Sequence, residues 1–298
     1  MVNERIRHFT YYIKRMFKFY DLKAAYVPQI LFVMLLLVTF GLRLVAQPIL
    51  VNMSIYQQQW AIPYLEGLTS ATVKDPAAMN GLMLQIITSD EFHLFLTEFM
   101  RVSGVLLLQQ VLLLVLLFFY LGAYLTDLET KAPSAPQYLT KFVKAFPRFL
   151  GFNTIYYILM GILLMIFSFI LSFIMMILPI ASGLLPVAWF LAQVIFIFKD
   201  VTLLDTRVGI LKNFRLSWKL TAGNRIMIGI NTFFLESLAM MLFLLPIITI
   251  LQESSRITLT LFVVSFIEVI ALLVRQRLIA LMYLDRTRII REEEPHED

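Results

Sequence analysis

Two carboxylates lie inside apolar stretches of the chain, where a charged group is costly. At about 1.5 Å of helical rise per residue, Glu236 lies about 15 Å into the stretch 226–251, and Glu268 lies about 16 Å into the stretch 257–283. An ionised side chain at that depth of a bilayer costs about 3 kcal/mol on insertion scales. Each carboxylate therefore requires either a stabilising partner or a functional role that accounts for this cost.

Other polar residues fall within the apolar stretches, and three interpretations of the whole set stay open. In the first, a buried glutamate is structural glue, either protonated or paired with Arg43, and hydrogen-bonded to Gln109, Gln110 or Asn231. In the second, the carboxylates form a proton or ion relay. In the third, they act as paired catalytic carboxylates. Ser265, Glu268 and Arg275 fall within a sector of about 80° on one helix and form a polar stripe. The intramembrane candidates are Arg43, Gln109, Gln110, Asn231, Glu236, Ser265, Glu268 and Arg275.

No catalytic residue, metal ligand set or cofactor is predicted. The chain has no cysteine, and its three histidines, His8, His93 and His296, are scattered. This composition argues against disulfide, thiolate and zinc chemistry. Phosphate-binding loops, dinucleotide fingerprints and Ser-His-Asp arrangements do not occur in the sequence. ATP-driven work would therefore need a separate ATPase chain.

The composition is that of an integral membrane protein. Of the 298 residues, 60% are hydrophobic and only 15% are charged, whereas soluble domains are about 45–50% apolar. Six stretches are long enough to cross about 30 Å of hydrocarbon as helices. They are 28–50, 102–125, 150–178, 182–198, 226–251 and 257–283. The predicted fold is an all-α bundle of six transmembrane helices arranged as three hairpins.

The basic residues predict which side each loop faces. Most of the 25 Lys and Arg residues flank alternate ends of the predicted spans, and positive charge in short loops marks the cytoplasmic side. Both termini are therefore predicted to lie in the cytoplasm. The net charge of +5 is explained by topology and anionic lipid, so no nucleic-acid partner is expected.

A basic, aromatic-bearing segment precedes each predicted hairpin on the cytoplasmic side. The segments 13–23, 139–149 and 211–221 align so that Met16, Phe142 and Phe214 coincide. Each is predicted to be an amphipathic helix in the membrane interface. In the third, Asp205 or Thr206 is expected to cap the start and Gly223 the end.

Two roles for these interface helices stay open. They are connectors floating on the bilayer, with anionic headgroups as partners, or they are a docking platform for a protein partner such as an ATPase. In the third segment Leu211, Phe214 and Trp218 share one face and the basic residues another. The docking candidates are Lys141, Lys144, Arg148, Lys212, Arg215, Trp218 and Lys219. The oligomeric state does not follow from the sequence.

The domain organisation follows from these assignments. Residues 1–27 form a cytoplasmic basic segment and 28–285 the membrane domain. Within the membrane domain, 52–101 is a translocated loop that carries a surface helix starting near Asp75 and Pro76. A second helix is expected to start at Ser89. The remaining parts are the cytoplasmic interface segments 126–149 and 199–225 and an acidic cytoplasmic tail, 286–298.

The segment after the fourth span resembles a family of bacterial six-span inner-membrane proteins. The features that carry the likeness are Asp200 or Asp205 closing the span, a run of Ser217, Trp218, Leu220 and Thr221, and then Asn224 with Arg225. These resemble the YciC-like proteins and the related membrane domain of some glycerophosphodiester phosphodiesterases. The resemblance implies a six-helix membrane domain without the phosphodiesterase, and it carries no catalytic residue.

Three functions remain open at this point, the third being a membrane-embedded enzyme that acts on lipid through a polar pocket opening at one leaflet. The favoured expectation is a non-enzymatic scaffold or accessory subunit in envelope or transport processes. The alternative is a permease for a small or amphipathic solute, alone or with a separate ATPase, that uses Glu236 and Glu268.

The topology is testable with a terminal reporter. A phosphatase fused after Asp298 should stay inactive and a fluorescent protein fused there should fluoresce, because both termini are predicted to be cytoplasmic. An active phosphatase at this end would overturn the predicted topology.

Overall fold

The computed structural model describes residues 6–24, 26–69, 81, 84–130, 133–175, 183–206, 208–241 and 257–292. Regular structure in this part of the chain is helical, without strands. The helices, in chain order, are α1 (Phe9–Met16), α2 (Tyr26–Thr69), α3 (Asp90–Glu129), α4 (Ala135–Met175), α5 (Leu184–Ile195), α6 (Lys199–Asp205), α7 (Ile210–Thr221), α8 (Arg225–Ala239) and α9 (Ile257–Glu292).

Several of these helices are long and apolar enough to cross a membrane, which marks the chain as a multi-pass membrane protein. Five stretches of the described residues qualify, with mean hydropathies of 1.8 to 2.6. They are Tyr26–Ile62, Asp90–Glu129, Pro136–Leu171, Leu184–Asp205 and Ile257–Thr287. The predicted span 226–251 begins as α8, and its second half lies outside the described residues. The predicted turn at 179–181 also lies outside them.

The chain divides into two compact units. Unit 1 comprises Met1–Val33, Val115–Thr249 and Ile267–Asp298, and unit 2 comprises Met34–Leu114 and Ile250–Phe266. Helices α1 and α4 to α8 belong to unit 1. In that unit, α4 packs on α5, α6 and α7, and α8 packs on α5 and α1.

The predicted translocated loop 52–101 is largely helical where the structure describes it. Helix α2 continues to Thr69, and α3 already begins at Asp90. With 44 residues, α2 is about 66 Å long, twice the thickness of the hydrocarbon core. The sequence interpretation ended this helix where the apolar run ends, but Gln57, Gln58 and Gln59 are good helix formers and continue it. The predicted helix start near Asp75 lies outside the described residues.

The predicted start at Ser89 is confirmed. The Ser89 Oγ accepts a hydrogen bond from the Phe92 backbone N–H at 3.2 Å, as an N-cap does. In unit 2 the Trp60 ring of α2 meets the rings of Phe92 and Phe95 of α3, with centroids 5.5 and 5.7 Å apart. These aromatic contacts hold the two helical extensions together.

Of the three predicted interface helices, only the third is a separate helix over its full length. Residues 211–221 lie within α7, whereas 139–149 form part of the continuous helix α4. Pro147 lies inside α4, and the helix continues beyond it. A proline inside a helix removes one backbone hydrogen bond, and the remaining ones hold α4 together here. In the first segment, helix α1 ends at Met16, and the rest of 13–23 is turn and irregular structure.

The first segment belongs to the core of unit 1. Phe9, Tyr12 and Met16, spaced three and four residues apart on one face of α1, are buried. The Phe9 ring meets that of Phe234 on α8 at a centroid distance of 5.4 Å. This segment therefore packs as a structural element, which differs from the predicted helix that only rests on the bilayer.

The helical extension of α2 can be measured directly. Spin labels at Leu37 and Ile62, two exposed positions of α2 in unit 2, should be about 38 Å apart in double electron–electron resonance because the helix between them is continuous. A short or broad distribution would instead support a loop that begins near Asn52. Labels at Leu94 and Leu106 of α3, expected at about 18 Å, provide the reference within a helix.

Candidate functional site

A buried cation lies where α4 meets the start of α6. Lys199 is only 9% exposed, and its Nζ lies 2.8 and 2.9 Å from the two carboxylate oxygens of Asp200. The Asn153 side-chain oxygen of α4 accepts a further hydrogen bond from Nζ, and the rings of Tyr156 and Tyr157 lie 5.1 and 5.7 Å away. This ammonium is therefore fully supplied with acceptors and aromatic faces.

The same cluster anchors α7. The Asn213 amide donates to the Lys199 carbonyl at 2.9 Å, and Thr202 donates to the Asn213 oxygen. At the other end of the helix, Thr221 donates to the Ile195 carbonyl at 3.1 Å. Hydrogen bonds at both ends thus fix α7 against unit 1.

The structure shows which side of α7 packs on unit 1. Its buried residues are Asn213, Ser217, Leu220 and Thr221, a largely polar set, while Leu211 is 81% and Trp218 is 50% exposed. The predicted apolar face is thus turned outward, apart from Phe214, whose ring lies 4.3 Å from that of Phe152. Unit 1 supplies hydrogen-bond partners to Asn213 and Thr221 on this side, whereas the buried Ser217 hydroxyl has none there among the described residues.

The predicted cap at the start of α7 is wrong, and the predicted end is confirmed. Gly209 is the N-cap residue of α7. Asp205 instead accepts a hydrogen bond from the Tyr283 hydroxyl at 2.6 Å, and Thr206 donates to the Thr202 carbonyl. Gly223 follows the helix with φ of +80°, a left-handed conformation that glycine adopts without a steric penalty.

The N-terminal segment is bonded to α8 and α9. The Ile6 N–H donates to the Asn224 side chain at 2.9 Å, and Asn231 donates to the Arg7 carbonyl at 3.0 Å. Tyr12 donates its hydroxyl proton to Asp285 at 2.8 Å. Burial, together with this hydrogen bond, raises the pKa of Tyr12, so its hydroxyl remains a proton donor.

A group of hydrogen bonds around Asp127 joins the N-terminal segment to the end of α3. Asp127 accepts hydrogen bonds from the Lys23 backbone N–H, at 2.8 Å, and from the Tyr138 hydroxyl of α4. The Arg277 guanidinium of α9 donates to the Arg15 carbonyl at 3.2 Å and lies 4.3 Å from the centre of the Tyr124 ring. The N-terminal segment, the α3–α4 connection, α6–α7 and the end of α9 thus meet at one end of unit 1. This end is called the basic end below.

Glu236 forms an ion pair with Arg275, whereas the sequence suggested Arg43 as a partner for a glutamate. Its Oε1 lies 3.3 Å from the Arg275 Nη2, which also donates to Gln193 at 2.9 Å. This trio links α8, α9 and α5 within unit 1. Glu236 is nevertheless 44% exposed at its side chain. Asn231 does not bind a carboxylate, because its amide donates to Arg7 and to the Met282 sulfur.

The other intramembrane candidates are distributed over both units. Arg43, Gln109, Gln110 and Ser265 belong to unit 2, whereas Glu268 belongs to unit 1, where its side chain is partly buried. Gln109 is buried and Gln110 is exposed, because adjacent helical residues point about 100° apart. Ser265 is fully buried.

The docking candidates lie on α4 and α7 of unit 1. Lys141 pairs with Glu129 at 2.6 Å, and Lys144 is exposed. Arg148 donates to the carbonyls of Thr206 and Val208, at 3.5 and 3.4 Å, and so contacts the link before α7. Lys212, Arg215 and Lys219 are exposed.

These contacts are structural in kind. Asp127, Asp200, Asp205 and Asp285 each accept hydrogen bonds from a neighbouring side chain or backbone group. Within the described residues, no group of three His, Cys, Asp or Glu side chains could hold a metal ion. The arrangement joins helix ends to one another.

Sequence reasoning missed the polar residues that organise the basic end. In the sequence, Lys199 counts only among the basic residues that flank the predicted spans, and Asn153, Asp127 and Tyr12 are not among the predicted site residues. A signal was present, since Asn153 interrupts an apolar helix and Lys199 with Asp200 closes one. Their pairing is long-range in sequence, and no periodicity reports which helix ends meet.

The Lys199 cluster should contribute strongly to stability. Lys199→Met leaves Asp200 buried without its cation, and we expect a loss of about 3 kcal/mol in unfolding free energy. Lys141→Met, which removes the surface pair with Glu129, should cost under about 1 kcal/mol. Thermal unfolding of the purified protein, followed by fluorescence-detected size exclusion, measures both. Equal melting temperatures for the two variants would contradict a structural role for this cluster.

Comparisons with known proteins give no family assignment. No protein-family model, curated protein or solved structure matches the chain. The likeness to YciC-like proteins therefore stays a prediction from Ser217, Trp218 and their neighbours. The chain is a helical multi-pass membrane protein whose polar contacts gather at one end of unit 1.

Proposed function

We propose that this chain is a non-enzymatic scaffold or accessory subunit of a bacterial inner membrane that serves an envelope or transport process. The observation that carries the proposal is the hydrogen-bonded basic end of unit 1. Asp127, Asp200, Asp205 and Asp285 are used to join helix ends. A surface of fixed shape suits docking, because little conformational freedom is lost when a partner binds.

Charge supports both the placement of this end and the kind of partner. The basic end carries exposed cations on α1 and α7, among them Arg15, Arg215 and Lys219. Under the positive-inside rule this end faces the cytoplasm. Its internal carboxylates are already bonded, so the exposed cations favour a protein partner with an acidic surface. The proposed six-span topology places both termini on this side.

One observation favours a second candidate, a permease. Glu236 lies about 16 Å along α8 from Arg225 and is half-exposed. A carboxylate exposed at that depth calls for water or a polar solute beside it. In this alternative Arg275 holds the carboxylate charged, and a solute or ion competes for it.

The scaffold proposal is tested by recovering the partner. The full chain is purified by affinity from crosslinked native membranes, and the proteins that accompany it are identified by mass spectrometry. We expect a stoichiometric partner with the wild type. Arg215→Glu with Lys219→Glu, on the exposed face of α7, should reduce its recovery at least about tenfold, because charges of like sign then meet. The matched control, Arg215→Lys with Lys219→Arg, keeps the charge and should retain the partner.

Three results would count against a scaffold. They are recovery of the chain alone, recovery that is unchanged by charge reversal, or loss of recovery in the charge-conserving control. Glu236→Gln separates the permease. This change keeps the side-chain shape, so the scaffold retains its partner and its cellular role. Loss of the cellular role with the partner retained would favour the permease.

A further inference from the structure

A groove opens at the start of α7, beside α4. Its volume is about 560 Å³, and it is lined by Arg148, Gly209, Ile210, Leu211 and Lys212. Helices α4 and α7 approach closely here, since a Cβ atom added at Gly151 would lie 3.0 Å from the Ile210 Cδ1. The groove thus combines two cations with two aliphatic side chains on one packed junction of unit 1.

The surface of α7 beside this groove has two flanks. At about 100° per residue, Leu211 and Trp218 lie within about 20° of each other, and Lys212, Arg215 and Lys219 fall within an adjacent sector of about 60°. Both flanks point away from the buried Asn213 and Ser217. An apolar flank beside a basic flank is the pattern of a helix at the boundary between acyl chains and headgroups.

The cations of the groove lack an acidic partner. Among the residues that the structure describes, no carboxylate pairs with Arg148 or Lys212. Arg148 contacts only the two backbone carbonyls before α7, at 3.4 and 3.5 Å. Two neighbouring cations without a counter-charge favour an anion between them.

We infer that the groove binds the phosphate of an anionic phospholipid, with Arg148 and Lys212 at the headgroup and Leu211 against the first part of an acyl chain. A free phosphate would leave the aliphatic wall unused, and Leu211 is 81% exposed, which water disfavours and an acyl chain covers. An acidic protein segment could meet the cations but would not need the apolar flank. The inference rests on the proposed membrane placement of the basic end.

The test titrates the purified full chain in detergent with short-chain lipids. The probes are dioctanoyl phosphatidylglycerol, dioctanoyl phosphatidylcholine and glycerol phosphate, and the readout is the intrinsic fluorescence of the protein or its thermophoresis. The wild type should bind the phosphatidylglycerol more tightly than either other probe. Arg148→Gln with Lys212→Gln should weaken that binding about fivefold for each charge removed. Lys14→Gln with Lys18→Gln, two exposed cations outside the groove, is the matched control and should leave it unchanged.

Two further variants keep the result interpretable. Lys212→Gln alone removes an exposed charge with no internal hydrogen bond, so it serves if Arg148→Gln unfolds the link before α7. Leu211→Ser should weaken phosphatidylglycerol binding while leaving glycerol phosphate binding unchanged, because only the lipid has an acyl chain.

Four outcomes would overturn the lipid site. They are equal affinity for the two lipids, equal affinity for phosphatidylglycerol and glycerol phosphate, no effect of Lys212→Gln, or an equal effect of the Lys14 and Lys18 control. Loss of a protein partner by Lys212→Gln with unchanged lipid affinity would assign the groove to that partner. Failure to recover any partner from membranes rejects the scaffold but does not alter the lipid titration, so the two proposals fail separately.

Discussion

The buried ammonium of Lys199 is the interaction on which the basic end depends. A lysine that is 9% exposed survives only because Asp200, Asn153 and two tyrosine rings surround it. Asn153 belongs to α4, so satisfying the cation fixes the start of α6 against α4. The Lys199 carbonyl in turn accepts the Asn213 amide of α7. Through its ammonium and its backbone carbonyl, Lys199 therefore joins α4, α6 and α7.

Hydrogen bonds to distant residues also fix the N-terminal segment within unit 1. Its backbone is bonded to Asn224, Asn231, Asp127 and Arg277, all distant in sequence. Such groups at the edge of an apolar bundle are costly if they stay unsatisfied. A segment without long regular structure can therefore become a fixed part of the fold. Its exposed cations are consequently held at defined positions, which the scaffold proposal requires.

The orientation of α7 connects the fold to both proposals. Unit 1 takes the polar side chains of Asn213 and Ser217 and leaves Leu211 and Trp218 exposed. An exposed apolar flank beside a basic flank is the pattern of a helix in a membrane interface. Both proposals use this surface, with an acidic partner or an anionic lipid facing the basic flank. The pair of Arg275 and Glu236 is a separate feature, which joins α9, α8 and, through Gln193, α5.

The sequence by itself determined that the chain is a helical multi-pass membrane protein, because apolar length and the scarcity of charge depend only on composition and order. It also located the start of α3 at Ser89 and the glycine that ends α7 at Gly223, since capping is local chemistry. It placed helix ends poorly, as in α2, because a helix continues beyond the apolar run wherever polar helix formers follow.

Only the tertiary structure decided which polar groups meet. The depth of Glu236 predicted a pairing, but its partner is Arg275 rather than the suggested Arg43, because the choice depends on helix packing and not on depth. Helical periodicity found two faces of α7 and could not say which is buried, since that depends on the hydrogen-bond partners that α5 and α6 offer. The physical reason is common to both cases. Local sequence sets the conformation of each segment, whereas the satisfaction of buried polar groups is decided between segments.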